Sequence, residues 1–265
     1  MHGFKARLAP TAAPLFFALL GVAVLVGLWQ VTIMAWKLPA YLLPTPAAVG
    51  STMVADWHQL AEDAYVTGYE IVLSFATSLG LGLAGAVALH FWPRLARALW
   101  PAIVFAKILP QVAIAPILIV WLGLGLAPKI IVAVLLGFFP ILVATYLGLS
   151  FVEEELLELG RAMGANRLRL FWRFELPAAL PHILSGAKVG MASCVIGVIV
   201  AEFLASNAGL GHMVLRATGQ MDTELVLATV IALSIQGSIF YLLVSAAEKL
   251  LIPWHISQRR EAALG

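Results

Sequence analysis

With 265 residues, 62% of them hydrophobic and only 11% charged, and a mean hydropathy of +0.98, the chain has too little polar surface to face water all round; soluble domains carry roughly 25% charged residues. One cysteine, Cys194, excludes a disulfide framework, and a net charge of +2 is a weak indication of nucleic-acid binding, so no nucleic-acid partner is expected. The composition is that of an integral membrane protein.

A hydrocarbon core of roughly 30 Å takes about 20 helical residues to cross. Long uncharged runs predict six helical spans near 14–36, 66–90, 98–124, 129–150, 182–204 and 225–250. Lys5 and Arg7 precede the first, as in a secretory leader, but the apolar run is too long and has no A-x-A site before Trp29, so a retained helix is expected. Between spans one and two, Leu43-Pro44-Thr45-Pro46 is hostile to helix, and a mixed helix with Asp56, Trp57, Glu62 and Asp63 suits the bilayer surface. On the second span Ser74, Ser78, Gly82 and Ala86 recur every four residues, a packing seam in lipid, and Glu70 reads as a packing hydrogen bond.

Pro110 and Pro116 interrupt the ladder of the third span, one turn after Lys107. Gly186 and Gly190 form a second small-residue pair on the fifth, where Lys188 is expected to snorkel to the interface and Glu202 lies near the outer end. Gln236 on the sixth reads as another packing hydrogen bond. With the N-terminus inside, eleven basic residues fall in cytoplasmic segments, among them Lys5, Arg7, Arg259 and Arg260, against three outside, Lys37, Lys129 and Arg216. That asymmetry predicts both termini in the cytoplasm.

The segment between spans four and five, 151–181, is the most polar in the chain. Glu153, Glu154 and Glu155 suit a helix N-terminus, Leu156, Leu159 and Met163 share one side, and Gly164 ends the helix. Asn166 caps a second short helix with Leu168, Phe171 and Phe174 as its apolar row, ended by Pro177 before Pro181 starts the next span. So much apolar surface on a polar bend is expected to dock on something.

This segment resembles the signature loop of binding-protein-dependent ABC importer permeases: Glu-Ala-Ala, three residues, Gly, nine residues, Ile, one residue, Leu-Pro. Here it runs Glu158-Leu159-Gly160, Gly164, Phe174, Leu176-Pro177, with every interval kept. Leu159 and Gly160 replace the alanines and Phe174 the isoleucine. Leu43-Pro44-Thr45-Pro46, Trp121 to Gly125, Phe138 to Ile141, Ala201-Glu202-Phe203 and Gly209-Leu210-Gly211 are similar to the nitrate, sulfonate, taurine and thiamine-precursor branch.

The resemblance implies an all-α, type I ABC importer permease fold of six transmembrane helices in one domain, 1–265, in a bacterial inner membrane, with a coupling helix on the cytoplasmic side. It implies two ATPase subunits, a second permease copy in a homodimer, and an external substrate-binding protein. ATP and Mg would be held by the ATPase and no cofactor by this chain, which has no G-x-x-x-x-G-K-[ST] loop. The ATPase-coupling residues it implies are Glu158, Gly160, Ala162, Gly164, Ala165, Arg167, Phe171, Phe174, Leu176 and Pro177. Ionisable and amide side chains inside spans, Lys107, Gln111 and Glu202, are the candidates for the translocation path. No metal cluster or nucleophile–base pair stands out, so a membrane-embedded enzyme is one alternative; a secondary transporter is the other, although no internal repeat is visible. The expected solute is a small organic molecule or anion, with a lean from Lys107 to Pro116 toward heterocycles.

Overall fold

The structure, a computed structural model, describes residues 12–252; Lys5, Arg7, Arg259 and Arg260, on which part of the topological expectation rests, lie outside them. Among the described residues every regular element is helical: α1 (Ala12–Trp36), α2 (Pro46–Ala55), α3 (Trp57–Phe91), α4 (Pro93–Ile108), α5 (Ala115–Leu122), α6 (Leu126–Ser150), α7 (Glu154–Ala162), α8 (Arg167–Leu170), α9 (Leu176–Ala205), α10 (Leu210–Gly219) and α11 (Thr223–Leu251).

Four helical runs are long and apolar enough to cross a membrane: α3, α6, Arg167 to Leu204, and α11. A fifth arises if α4 and α5, joined by the 3-10 turn Gln111–Ile114 and bent by 81°, are one span. The continuous third span expected at 98–124 is therefore corrected to a broken one. Leu109 leaves helical space at ψ 138, because the residue before a proline is pushed out of the α region, and Pro110 has no N–H to continue the ladder. Helix α1 forms over the expected 14–36 but packs chiefly on α2, with most of its described side chains exposed. The described helices thus give four spans, or five with the bent pair, where six were expected.

Two further boundaries differ from expectation. The surface helix is α2, started by Pro46 and capped by the Thr45 hydroxyl, which accepts from the Ala48 amide at 3.2 Å. The mixed stretch from Trp57 belongs instead to α3, since only the non-helical Asp56 interrupts the chain. Pro177 likewise does not end the helix begun at Asn166. One π-turn, Phe171–Glu175, joins α8 to α9, with the Leu176 amide donating five residues back to the Phe171 carbonyl. A widened turn of this kind accommodates the proline that follows it.

Helix α6 lies between α3 and α9. Lipid supplies no hydrophobic drive between helices, so close backbone approach holds them together. On α3 the predicted row Ser74, Ser78, Gly82 and Ala86 is fully buried. A Cβ added at Gly186 would stand 2.6 Å from the Cβ of Ala144, and one at Gly190 2.6 Å from Ile141 Cγ1. Lys188 has a partner that the sequence did not announce: its ammonium pairs with Glu248 of α11 at 2.6 Å.

Because the α6–α9 seam has no spare volume, Gly186→Leu is expected to destabilise the protein by about 1–3 kcal/mol. Gly80→Leu on α3, where nothing lies within 4 Å, is expected to be near neutral. Thermal unfolding of both variants in detergent micelles reads the difference; equal melting would show that the seam tolerates separation.

Candidate functional site

Two polar assemblies lie at opposite ends of the bundle. At the first end α7, α8 and the π-turn form an elbow. Glu153 caps α7, with Glu154 and Glu155 in its first turn. The helix closes as the sequence predicts: Gly164 adopts φ +77, and the Ala165 amide donates to the Gly160 carbonyl at 3.0 Å, which satisfies the end of the helix. The Asn166 side chain then accepts from the Arg169 amide at 2.9 Å and starts α8.

Gly160 lets α7 fold back on α8. A Cβ there would stand 2.5 Å from Leu170 Cδ2 and 3.2 Å from Phe174 Cε2. The elbow is pinned to the end of α3 by polar and aromatic contacts, among them His90 Nε2 to Glu175 Oε2 at 2.8 Å, Arg167 Nη2 to the Phe91 carbonyl at 2.9 Å, and Phe91 against Phe171 with centroids 5.2 Å apart. Leu170 and Phe171 are buried, whereas Leu159, Met163, Leu168 and Trp172 are 56–73% exposed.

Of the coupling residues named from the sequence, Glu158, Ala162, Gly164 and Arg167 are exposed. Gly160 and Phe171 are inside, and Ala165, Phe174, Leu176 and Pro177 are half-buried. The elbow is therefore a rigid corner with an apolar outer rim.

At the other end, four helices contribute to one buried network. Glu70 of α3 accepts from the ammonium of Lys129, in the first turn of α6, and both are almost completely buried. Lys129 also donates to Ser206 Oγ at 3.1 Å. Glu202, near the end of α9 and 0% exposed, accepts from the Thr67 hydroxyl at 2.7 Å and from the Gly211 amide at 2.6 Å. Thr67 in turn accepts from the Leu210 amide at 2.8 Å, and Asp63 from the Gly209 amide at 2.7 Å. The carboxylate of Glu202 thus sits at the N-terminus of α10, where free amides and the helix dipole favour it.

The two glycines around Leu210 are explained by the same group. Gly209 has φ +104, and a Cβ there would lie 2.1 Å from Glu202 Oε1; one at Gly211 would lie 2.7 Å from Oε2.

Sequence reasoning named Glu202 as a path candidate, counted Lys129 among the outside basic residues, and read Glu70 as a packing hydrogen bond without naming its partner. The available signal was a lysine directly after Pro128 in an otherwise uncharged run, which asks for a buried partner. Lys107 and Gln111 stand apart from the network. Lys107 is exposed in the last turn of α4 and Gln111 half-buried in the 3-10 turn, on the two sides of the break. Among the described residues no group of three His, Cys, Asp or Glu side chains is placed to hold a metal ion.

Removing Lys129 leaves a buried carboxylate alone, which typically costs about 3–5 kcal/mol. Lys129→Met is therefore expected to lower thermal stability sharply, and Lys129→Met with Glu70→Met to restore most of it. A double variant no more stable than the single one would mean that the ion pair is not what holds this end.

Residues 76–255 match the family described as the binding-protein-dependent transport system inner membrane component. The formylaminopyrimidine transport permease protein of Halalkalibacterium halodurans is 34% identical over 250 residues, 92% of this chain and 96% of that one. The riboflavin transport system permease protein of Chloroflexus aurantiacus is 35% identical over 238 residues, 86% of each chain. Among solved structures, an inward-facing form of the MetNI methionine ABC transporter superposes with a TM-score of 0.64 at 18% identity, over 74% of this chain and 98% of that one.

Proposed function

The chain belongs to the family of binding-protein-dependent transport inner membrane components, and from that premise we propose that it works by mechanical coupling, its elbow gripped by a separate ATPase. It is a multi-pass permease subunit of an ABC importer. The observation that carries the coupling reading is the elbow: exposed apolar side chains, Leu159, Met163, Leu168 and Trp172 among them, on a corner whose turn is closed by Gly164 and the Asn166 cap. A surface both apolar and rigid suits a partner groove.

In this reading α1 and the bent pair complete six spans in one domain, 1–265, both termini and the elbow face the cytoplasm, and ATP and Mg belong to the ATPase. Two ATPases serve two copies of this permease, and a binding protein delivers the solute on the far side. The run from Arg167 to Leu204 is 38 residues, about 57 Å of helix at 1.5 Å per residue. Displacing the elbow would tilt that rod and carry Glu202 with it, so the far end would open or close as the near end is pushed. Each state then needs its own contacts, and the Glu202–Thr67–Gly211 set is the one made in this structure.

The path is proposed to pass the break in the third span, flanked by Lys107 and Gln111. The solute proposed is a small heterocyclic compound, a pyrimidine or flavin-like ring system, in keeping with the lean of the Lys107–Pro116 stretch and with two relatives named for such cargo.

Gly164→Leu forces a side chain into a left-handed backbone, costing roughly 1–2 kcal/mol locally, without touching the bundle. That variant and Glu158→Lys are expected to insert normally yet lose most ATP-driven uptake when reconstituted with the ATPase and binding protein. Unchanged uptake and unchanged stimulated ATPase activity in both would remove the elbow from coupling. Lys107→Gln tests the path separately: uptake should fall several-fold with ATPase binding intact, and full uptake would take Lys107 out of it.

A further inference from the structure

A groove of about 640 Å³ runs along the elbow end of α3, between that helix and the start of α8. Its walls are apolar, with Leu83, Ala84, Val87, Phe91 and Trp92 from α3 and its C-cap, and Arg167 is the one charged residue in its lining. Leu83, Val87 and Phe91 follow one another at four-residue spacing and pack on their other side against the buried cluster of Leu149, Phe171, Ala179 and Ile183. The wall is therefore backed by core and cannot collapse into the space.

Arg167 is held in place rather than loose. One Nη2 hydrogen goes to the Phe91 carbonyl, and the guanidinium lies over the Phe91 ring with its carbon 5.0 Å from the centroid. No carboxylate among the described residues forms a salt bridge with it. A planar guanidinium has five N–H donors in a fork suited to phosphate, so most remain for a ligand. Trp92, 62% exposed at the same level, is the kind of side chain that marks the head-group region, and Arg94 and Arg169 are exposed nearby in sequence.

We propose that this groove is a site for an anionic phospholipid, one acyl chain lying along Leu83, Val87 and Phe91 and the phosphate held by Arg167. Charge decides the occupant. A zwitterionic lipid would bring a cation beside Arg167, whose charge no acidic side chain of the lining offsets, and a free phosphate would leave the apolar walls uncovered. Because Arg167 opens α8 directly after the Asn166 cap, a bound lipid would brace the elbow against α3. The site requires only that the chain sits in a bilayer, so it stands or falls apart from the coupling reading.

The test is native mass spectrometry of the purified full-length protein from micelles doped with phosphatidylglycerol or phosphatidylcholine of identical chains. The native protein is expected to retain phosphatidylglycerol preferentially. Arg167→Ala should cut that retention about tenfold, as loss of a charge-assisted contact does, while Arg167→Lys keeps part of it. Ala84→Trp, an exposed position on the groove wall, should lower retention of both lipids with the charge intact, and its melting temperature shows whether it is folded. Equal retention of the two lipids, an unchanged preference in Arg167→Ala, or full displacement by inorganic phosphate alone would overturn the proposal.

Discussion

A charge buried in a low-dielectric interior is tolerable only beside its partner, and at the far end of this bundle the partners come from different helices. Glu70 belongs to α3 and Lys129 to α6, both with almost no exposed surface. Sliding one helix past the other would strand a charge at a cost of several kcal/mol. Through Ser206 the same ammonium reaches the loop after α9, and Glu202 ties α9 to Thr67 of α3 and to the first amides of α10. Four elements are thereby registered at one end by a handful of polar atoms, while small-residue seams hold them along their length.

The opposite end is built differently. The elbow is fastened by aromatic packing and by single bonds to the last turn of α3, and its outer rim is left bare. Between the two ends runs one helix interrupted by nothing more than a π-turn. That turn takes one extra residue into the helix and lies where the elbow meets the bundle. The bundle thus has one long helix packed into the elbow at one end and into the Glu202 network at the other.

Local chemistry was legible in the sequence wherever one or two residues decide the outcome. Gly164 as a helix stop, Asn166 as a cap, and the four-residue rows on α3 and α9 were all readable from side-chain type and spacing. Readings failed where the deciding partner is far away in the chain. Nothing within a few residues of Lys129 announces Glu70, 59 positions earlier, and nothing near Lys188 announces Glu248. The prolines misled in opposite directions: Pro110 breaks its span outright, whereas Pro177 is absorbed by a π-turn that leaves no mark in the hydrophobic pattern.

The bend between α4 and α5 has a bearing on what surrounds the protein. Four residues beyond Ala106 stands Pro110, which has no amide to offer, and α4 stops two residues before it. An acyl tail cannot solvate a carbonyl left without a donor. Whatever touches that corner must itself supply hydrogens, as water or another polypeptide does. At membrane depth a broken backbone is tolerated only against protein or water, so the flank that carries this bend is one that hydrocarbon does not cover.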